Sequence, residues 1–133
     1  MGLVMDTDVW VLAEKASGGL DLARWAQYGG AYMGAITASE LLVGVERAKT
    51  AQPRAQRGAF VENLLLAVPV LEFSMPVVRT HARTVASLAK NVTAGAHDAL
   101  IAATALHHGY ALLTPNVADF KIFAGLNVEA FSV

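Results

Sequence analysis

The sequence predicts an α/β fold of three layers, a small and mainly parallel sheet covered by helices on both faces. Short apolar runs too brief for helices alternate with segments whose apolar positions recur at helical spacing. Such alternation is what right-handed strand-helix-strand crossovers produce. Helical segments also outnumber the runs, so the sheet is expected to be small and well covered. The 133 residues fit one domain, 1–133.

Gly2 to Met5 reads as a fully buried first strand, and Asp6-Thr7-Asp8 after it as the N-cap of a helix over about Val9 to Lys15. Ser17-Gly18-Gly19 breaks the chain, and Leu20, Leu22, Ala23, Trp25 and Ala26 predict a second helix that Gly29-Gly30 stops. Ala31 to Ile36 predicts the second strand. Thr37-Ala38-Ser39-Glu40 then starts a helix carrying Leu41, Leu42, Val45 and Ala48. From about Pro53, Phe60, Val61, Leu64, Leu65 and Val68 share one face of a further helix, and Pro69 ends it. Val70 to Phe73 is a third strand. Pro76 opens a helix through Leu88 and Ala89, Asn91 to Gly95 breaks it, and Asp98 starts another that Gly109 closes. Tyr110 to Leu113 is the fourth strand, Asp119 to Phe123 a helical turn, and Asn127 to Phe131 an edge strand.

Composition removes several classes of function. With no cysteine there is no disulfide framework, thiolate nucleophile or Cys-ligated metal. Ten Lys and Arg against 11 Asp and Glu give a net charge of −1, so no global positive field attracts nucleic acid and any such site is local. Acidic residues interrupt every apolar run before it reaches the roughly 18 residues of a membrane span. The N-terminus has no basic segment leading into an apolar one, and a cytoplasmic protein is expected. Charged residues are only 16% of the chain and 55% is hydrophobic, which predicts a homodimer or a standing partner.

The acids are the informative residues. In a parallel sheet the strand C-termini share one edge, where ligands bind. Asp6 and Asp8 follow the first strand, Glu40 the second, Asn116 and Asp119 the fourth, and Asp98 opens a helix starting at that same edge. Crowded carboxylates repel unless a cation neutralises them, and an all-oxygen set suits Mg2+ or Mn2+. The chemistry this implies is metal-assisted phosphodiester hydrolysis.

Leu3-Val4-Met5-Asp6-Thr7, Thr37-Ala38-Ser39-Glu40-Leu41-Leu42-Val43-Gly44, the block from His97-Asp98 through Ala105, and Leu112-Leu113-Thr114-Pro115-Asn116-Val117-Ala118-Asp119-Phe120 occur in an order that resembles the PIN-domain ribonucleases. More narrowly the chain is similar to the VapC toxins of type II toxin-antitoxin modules. The resemblance implies a PIN-like fold and a Mg2+ or Mn2+ dependent endoribonuclease that cuts structured RNA such as tRNA or rRNA. It also implies silencing by a cognate VapB-type antitoxin. Carried over by position, Asp6, Glu40 and Asp98 are its metal-binding acids. Asn116 stands where the family has a fourth acid, and Asp119, one helical turn on, is an alternative to it; both join the catalytic set. Asp8 departs from the usual Asn or Ser and is either a further ligand or a helix cap.

Blander roles compete at each position. Asp6 suits an N-cap, Thr37-x-x-Glu40 a capping box, Asp98 a helix N-terminus and Asp119 a turn. Thr7 and Thr114 are expected to hold hydrogen bonds, and His97 to be an incidental neighbour of Asp98. Arg47, Lys49, Arg54 and Arg57 form a candidate RNA-phosphate patch, Arg79 and Arg83 share one helical face, and Trp25 and Tyr28 are expected in core or interface. The segments Val9 to Trp25 and Leu41 to Leu65 are the expected dimer face and antitoxin groove. Two other functions stay open here. Asp6-Thr7-Asp8-Val9 also looks like the nucleophile motif of haloacid-dehalogenase-type phosphatases, and Asn116 is compatible with a non-catalytic PIN-like binding module.

Overall fold

The computed structural model describes residues 1–16 and 21–132. A five-stranded sheet in the order β3-β2-β1-β4-β5 is parallel at every pairing. Its strands are β1 (Gly2–Met5), β2 (Gly30–Gly34), β3 (Val70–Leu71), β4 (Ala111–Thr114) and β5 (Val128–Ala130). The helices are α1 (Thr7–Lys15), α2 (Ala35–Glu46), α3 (Ala51–Ala67), α4 (Met75–Ala86), α5 (Ala96–His108) and α6 (Val117–Phe120).

Strand periodicity divides the core in two. Leu3, Met5 and Leu113 point into a cluster with Val9, Trp10, Trp25, Met33, Leu41 and Val61. Their neighbours Val4 and Leu112 point the other way, onto Ala99, Ile101, Ala102, Ala105, Phe120 and Phe123. Both central strands are therefore buried on two faces, which is why they read as unbroken apolar runs. In-register pairing of Val4 with Leu112 and of Met5 with Leu113 brings the ends of β1 and β4 level. Everything at the carboxyl edge follows from that. Among the described residues no helix is long and apolar enough to cross a membrane.

Four local expectations are corrected. β2 stops at Gly34, and the Ala35-Ile36 part of the predicted strand is already helix, with Ile36 packing on the α5 side. A short apolar run carries no period that separates strand from first helical turn. The capping box therefore does not form: Gly34 is the N-cap of α2, Thr37 lies inside the helix and fully buried, and Glu40 is a turn further in. The segment expected as a second helix is a 3-10 stretch, Leu22–Tyr28, broken at Trp25 (φ −118°, ψ 19°). Asp21 accepts the Ala23 N–H to start it, and the break lets the Trp25 ring reach the core beside Phe131, 5.6 Å between centroids. The predicted breaker Ser17-Gly18-Gly19 and Leu20 lie outside the described residues. Finally α3 starts at Ala51, so Pro53 falls within its first turn, where a missing N–H costs no intrahelical bond.

Gly109, with φ 69°, ends α5 in the left-handed conformation that a side chain resists. α5 therefore runs back toward β4 with its N-terminus at the carboxyl edge of the sheet.

Candidate active site

Asp6 directly follows β1 and is only 5% exposed. It occupies the N-cap position of α1 but makes no side-chain capping bond. Its carboxylate is engaged across the β1–β4 seam: Thr114 Oγ1 donates to Asp6 Oδ2 at 2.7 Å, and the Asn116 backbone N–H donates to Thr114 Oγ1 at 2.9 Å. Burial pushes the Asp6 carboxyl above its ordinary proton affinity, the Thr114 hydrogen bond opposes this, and the Asp8 charge adds to it.

Glu40 is gripped at both oxygens. Thr7 Oγ1 donates to Oε1 at 2.7 Å, and His97 Nδ1 lies 3.1 Å from Oε2. Thr7 Oγ1 also meets the buried Thr37 Oγ1 at 3.0 Å; a hydroxyl has one proton, so Thr37 supplies the second. Thr37, read from sequence as a cap, thus anchors Thr7 under Glu40. A Thr at i and Glu at i+3 share a helix face, which was the available signal.

Asp98 lies in the first turn of α5. Its carboxyl is pushed up from 3.8 to about 6, by desolvation first and then by the charges of Asp6, Asp119, Glu40 and Asp8. Four acids from three separate stretches of chain therefore act on one carboxylate. Asn116 faces the same rim and donates through Nδ2 to Asp8 Oδ2 at 2.7 Å. His97, expected to be incidental, is instead a partner of Glu40, and no sequence pattern joins them.

The rim is close in charge but not closed. Among the described residues, no three His, Asp or Glu side chains already stand grouped to hold a metal ion. Asp6, Glu40 and Asp8 each lean on a neutral or imidazole partner. In donor chemistry the set fits a hard divalent cation, since Asp6, Glu40 and Asp98 offer only carboxylate oxygens.

The basic cluster divides. Arg54 pairs with Glu46 at 2.7 Å on the open surface, while Arg57 pairs with Glu14 at 3.2 Å. Arg57 also borders a groove shared with Thr7, Val11, Lys15 and Glu40, which leads to the rim. Trp25 is core, with the Arg24 guanidinium 4.7 Å above its ring, and Tyr28 donates to Glu129. Arg79 and Arg83 lie exposed on α4. Thr114→Val keeps the shape and removes the donor to a buried carboxylate. A loss of about 1 to 3 kcal/mol is expected in denaturant unfolding.

Residues 3–125 match the PIN domain family. The chain belongs to it. Its PIN-domain relatives include Ribonuclease VapC1 of Rickettsia felis, 43% identical over 133 residues, covering 99% of this chain and 98% of that protein. Ribonuclease VapC of Rickettsia bellii is 36% identical over 129 residues, covering 96% and 95%. Among solved structures, VapBC-5 of the VapBC toxin-antitoxin family from Mycobacterium tuberculosis superposes with TM-score 0.76 at 28% identity, covering 99% of this chain and 98% of that one. VapBC2 from Rickettsia felis, bound to a DNA fragment from its promoter, shares the fold with TM-score 0.86 at 20% identity, covering 99% and 100%. A PIN domain over this length leaves the haloacid-dehalogenase alternative without support.

Proposed function

We propose that the acidic rim is the active centre of a Mg2+ or Mn2+ dependent endoribonuclease toxin of the VapC kind, working in the cytoplasm and hydrolysing phosphodiester bonds of structured RNA such as tRNA or rRNA. The observation that carries this is Asp98, whose carboxyl responds to four other acids arriving from distant segments. Asp6, Glu40 and Asp98 would hold the cation, with Asn116 and Asp119 completing the set. When bound, the cation supplies charge neutralisation and polarisation of the phosphate and of an attacking water.

The chain's own groups prepare that chemistry. Thr114 keeps Asp6 aimed while it is buried, and Thr7 with His97 prevents Glu40 from swinging to solvent. Asp98, whose carboxyl burial and the neighbouring acids push up to about 6, would gain most from a cation that offsets those charges. Lys15 and Arg57 along the adjoining groove offer positive charge to the backbone of the RNA strand. Attack of water oxygen on phosphorus with departure of the 3′ oxygen leaves a 5′ phosphate and a 3′ hydroxyl.

Silencing by a VapB-type antitoxin suits the same electrostatics, since a basic side chain placed on the rim satisfies the charges a cation would. Exposed Leu42 and Val43 on α2 and Val70 on β3 line an apolar groove, which we assign to contact with antitoxin or with a second copy in a homodimer. The test is cleavage of an end-labelled tRNA and an rRNA fragment by purified chain in Mn2+ and in EDTA. Cutting in Mn2+ alone, with 5′ phosphate ends, is expected; equal decay in both conditions refutes the enzyme reading.

A further inference from the structure

The amino edge of the sheet, at the far end of α5 from the acids, carries a run of contacts that the rim does not explain. Arg83 Nη2 donates to Thr80 Oγ1 at 3.2 Å, and Thr80 Oγ1 lies 3.4 Å from His107 Nδ1. His107 meets His108 edge to face, 5.1 Å between centroids. His108 stacks on Tyr110 at 5.4 Å, and Tyr110 on Tyr32 at 5.0 Å. One line of side chains thus joins α4, the end of α5, the start of β4 and β2. It is built into the sheet: a Cβ at Gly2 would stand 2.8 Å from Tyr32 Cε2 and 3.0 Å from the Tyr110 ring, so the rings close over β1 only because glycine is there. Burial, with the His107 charge, holds the His108 imidazole below its ordinary proton affinity, which suits a neutral ring stacked on a phenol.

Charge and shape say what this surface would meet. Of the chain's 11 Asp and Glu, Asp98 alone falls between residues 73 and 118, where Arg79, Arg83, Lys90 and all four histidines lie. The net charge of −1 therefore hides a stretch that is locally basic. Beside the stacked rings, a recess of about 420 Å3 is lined by Gln27, Tyr28, Leu106, Gly109, Tyr110 and Asn127. Aromatic rings and carboxamides are the groups that stack and pair an unpaired base, and arginine is the group that holds a neighbouring phosphate.

We infer that the amino edge is a further RNA contact, which takes an unpaired base of the substrate in the recess beside Tyr110 and the neighbouring phosphates on Arg83 and Arg79. This rests on the ribonuclease reading given above and deepens it. α5 is 13 residues long, so about 20 Å separates this edge from the rim at Asp98. A folded RNA reaches both places at once, which makes the contact a means of choosing structured RNA. The competing local role is helix termination: His107 and His108 in the last turn of α5 are favoured by the helix dipole with or without RNA.

Binding of fluorescein-labelled tRNA to the full chain in EDTA, read by anisotropy over a series of KCl concentrations, tests this without cleavage, with melting temperature as the folding control. Arg79→Gln combined with Arg83→Gln is expected to lower the slope of log affinity against log salt by about 1.5, since each lost phosphate contact removes roughly 0.7 to 0.9. Tyr110→Leu is expected to weaken binding by about fivefold or more with the slope unchanged, as loss of a stacked base does. Gln27→Ala, an exposed change that spares the core, is expected to weaken it by about threefold, again at native slope. A native slope in the arginine variant, or native affinity in both Tyr110→Leu and Gln27→Ala, overturns the inference. Displacement of the tRNA by polyglutamate of equal charge also overturns it, since the edge would then seat an acidic protein segment. If the native chain holds tRNA through this edge yet does not cut it in Mn2+, the contact stands and the nuclease reading falls.

Discussion

Asp98→Asn is expected to lower RNA cleavage by at least about a hundredfold, because a lost ligand removes several kcal/mol of charge stabilisation. The same change should make the cation-free protein more stable. The Asp98 carboxyl holds its proton up to about pH 6 in the folded chain, against an ordinary value of 3.8. Below pH 3.8 it is protonated folded or unfolded and contributes nothing to the balance. As pH rises from there, the unfolded chain ionises first, so the folded state loses ground until about pH 6, and above that the penalty is complete. Asparagine removes the penalty. Since Asp98 is partly exposed, the gain at pH 7.5 in EDTA is on the order of 1 kcal/mol after screening, vanishing near pH 3.5. Melting curves at the two pH values read it directly. Added Mn2+ should raise the melting temperature of the native chain and leave that of Asp98→Asn nearly unmoved. A variant less stable than the native chain at pH 7.5 would show that Asp98 is a structural cap.

Leu112→Ala and Leu113→Ala are expected to cost about 2 to 5 kcal/mol each, in spite of pointing in opposite directions. Both side chains are fully buried, Leu112 against the α5 cluster and Leu113 against the cluster of Trp10 and Met33. In a sheet with one wet face, one of two neighbouring residues would be cheap to truncate. Here neither is, and urea unfolding of the two variants checks it. A cost under about 1 kcal/mol for either would mean that its face of the sheet is uncovered.

What could be seen in advance follows from how local each signal is. β1 and β4 were plain because strands buried on two faces leave continuous apolar runs, and α5 was plain because Gly109 supplies its left-handed end. The start of α2 was not, since Ala35 and Ile36 suit either element. Nor was the 3-10 path of Leu22–Tyr28, where burial of Trp25 overrides the helical spacing around it. At the site, the gathering of Asp6, Glu40 and Asp98 on one rim was legible from strand ends and a helix start. Their partners were not. Thr114 on Asp6, His97 on Glu40 and Asn116 on Asp8 are contacts over 57 to 108 residues, set by how helices settle on the sheet.

The sheet ends in strands of two and three residues, Val70–Leu71 on one side and Val128–Ala130 on the other. So short a row of unpaired amides is a poor template for an incoming strand, which protects an unusually greasy chain from stacking into fibrils. Any lasting association is therefore steered toward helix-on-helix packing and away from edge-to-edge growth of the sheet.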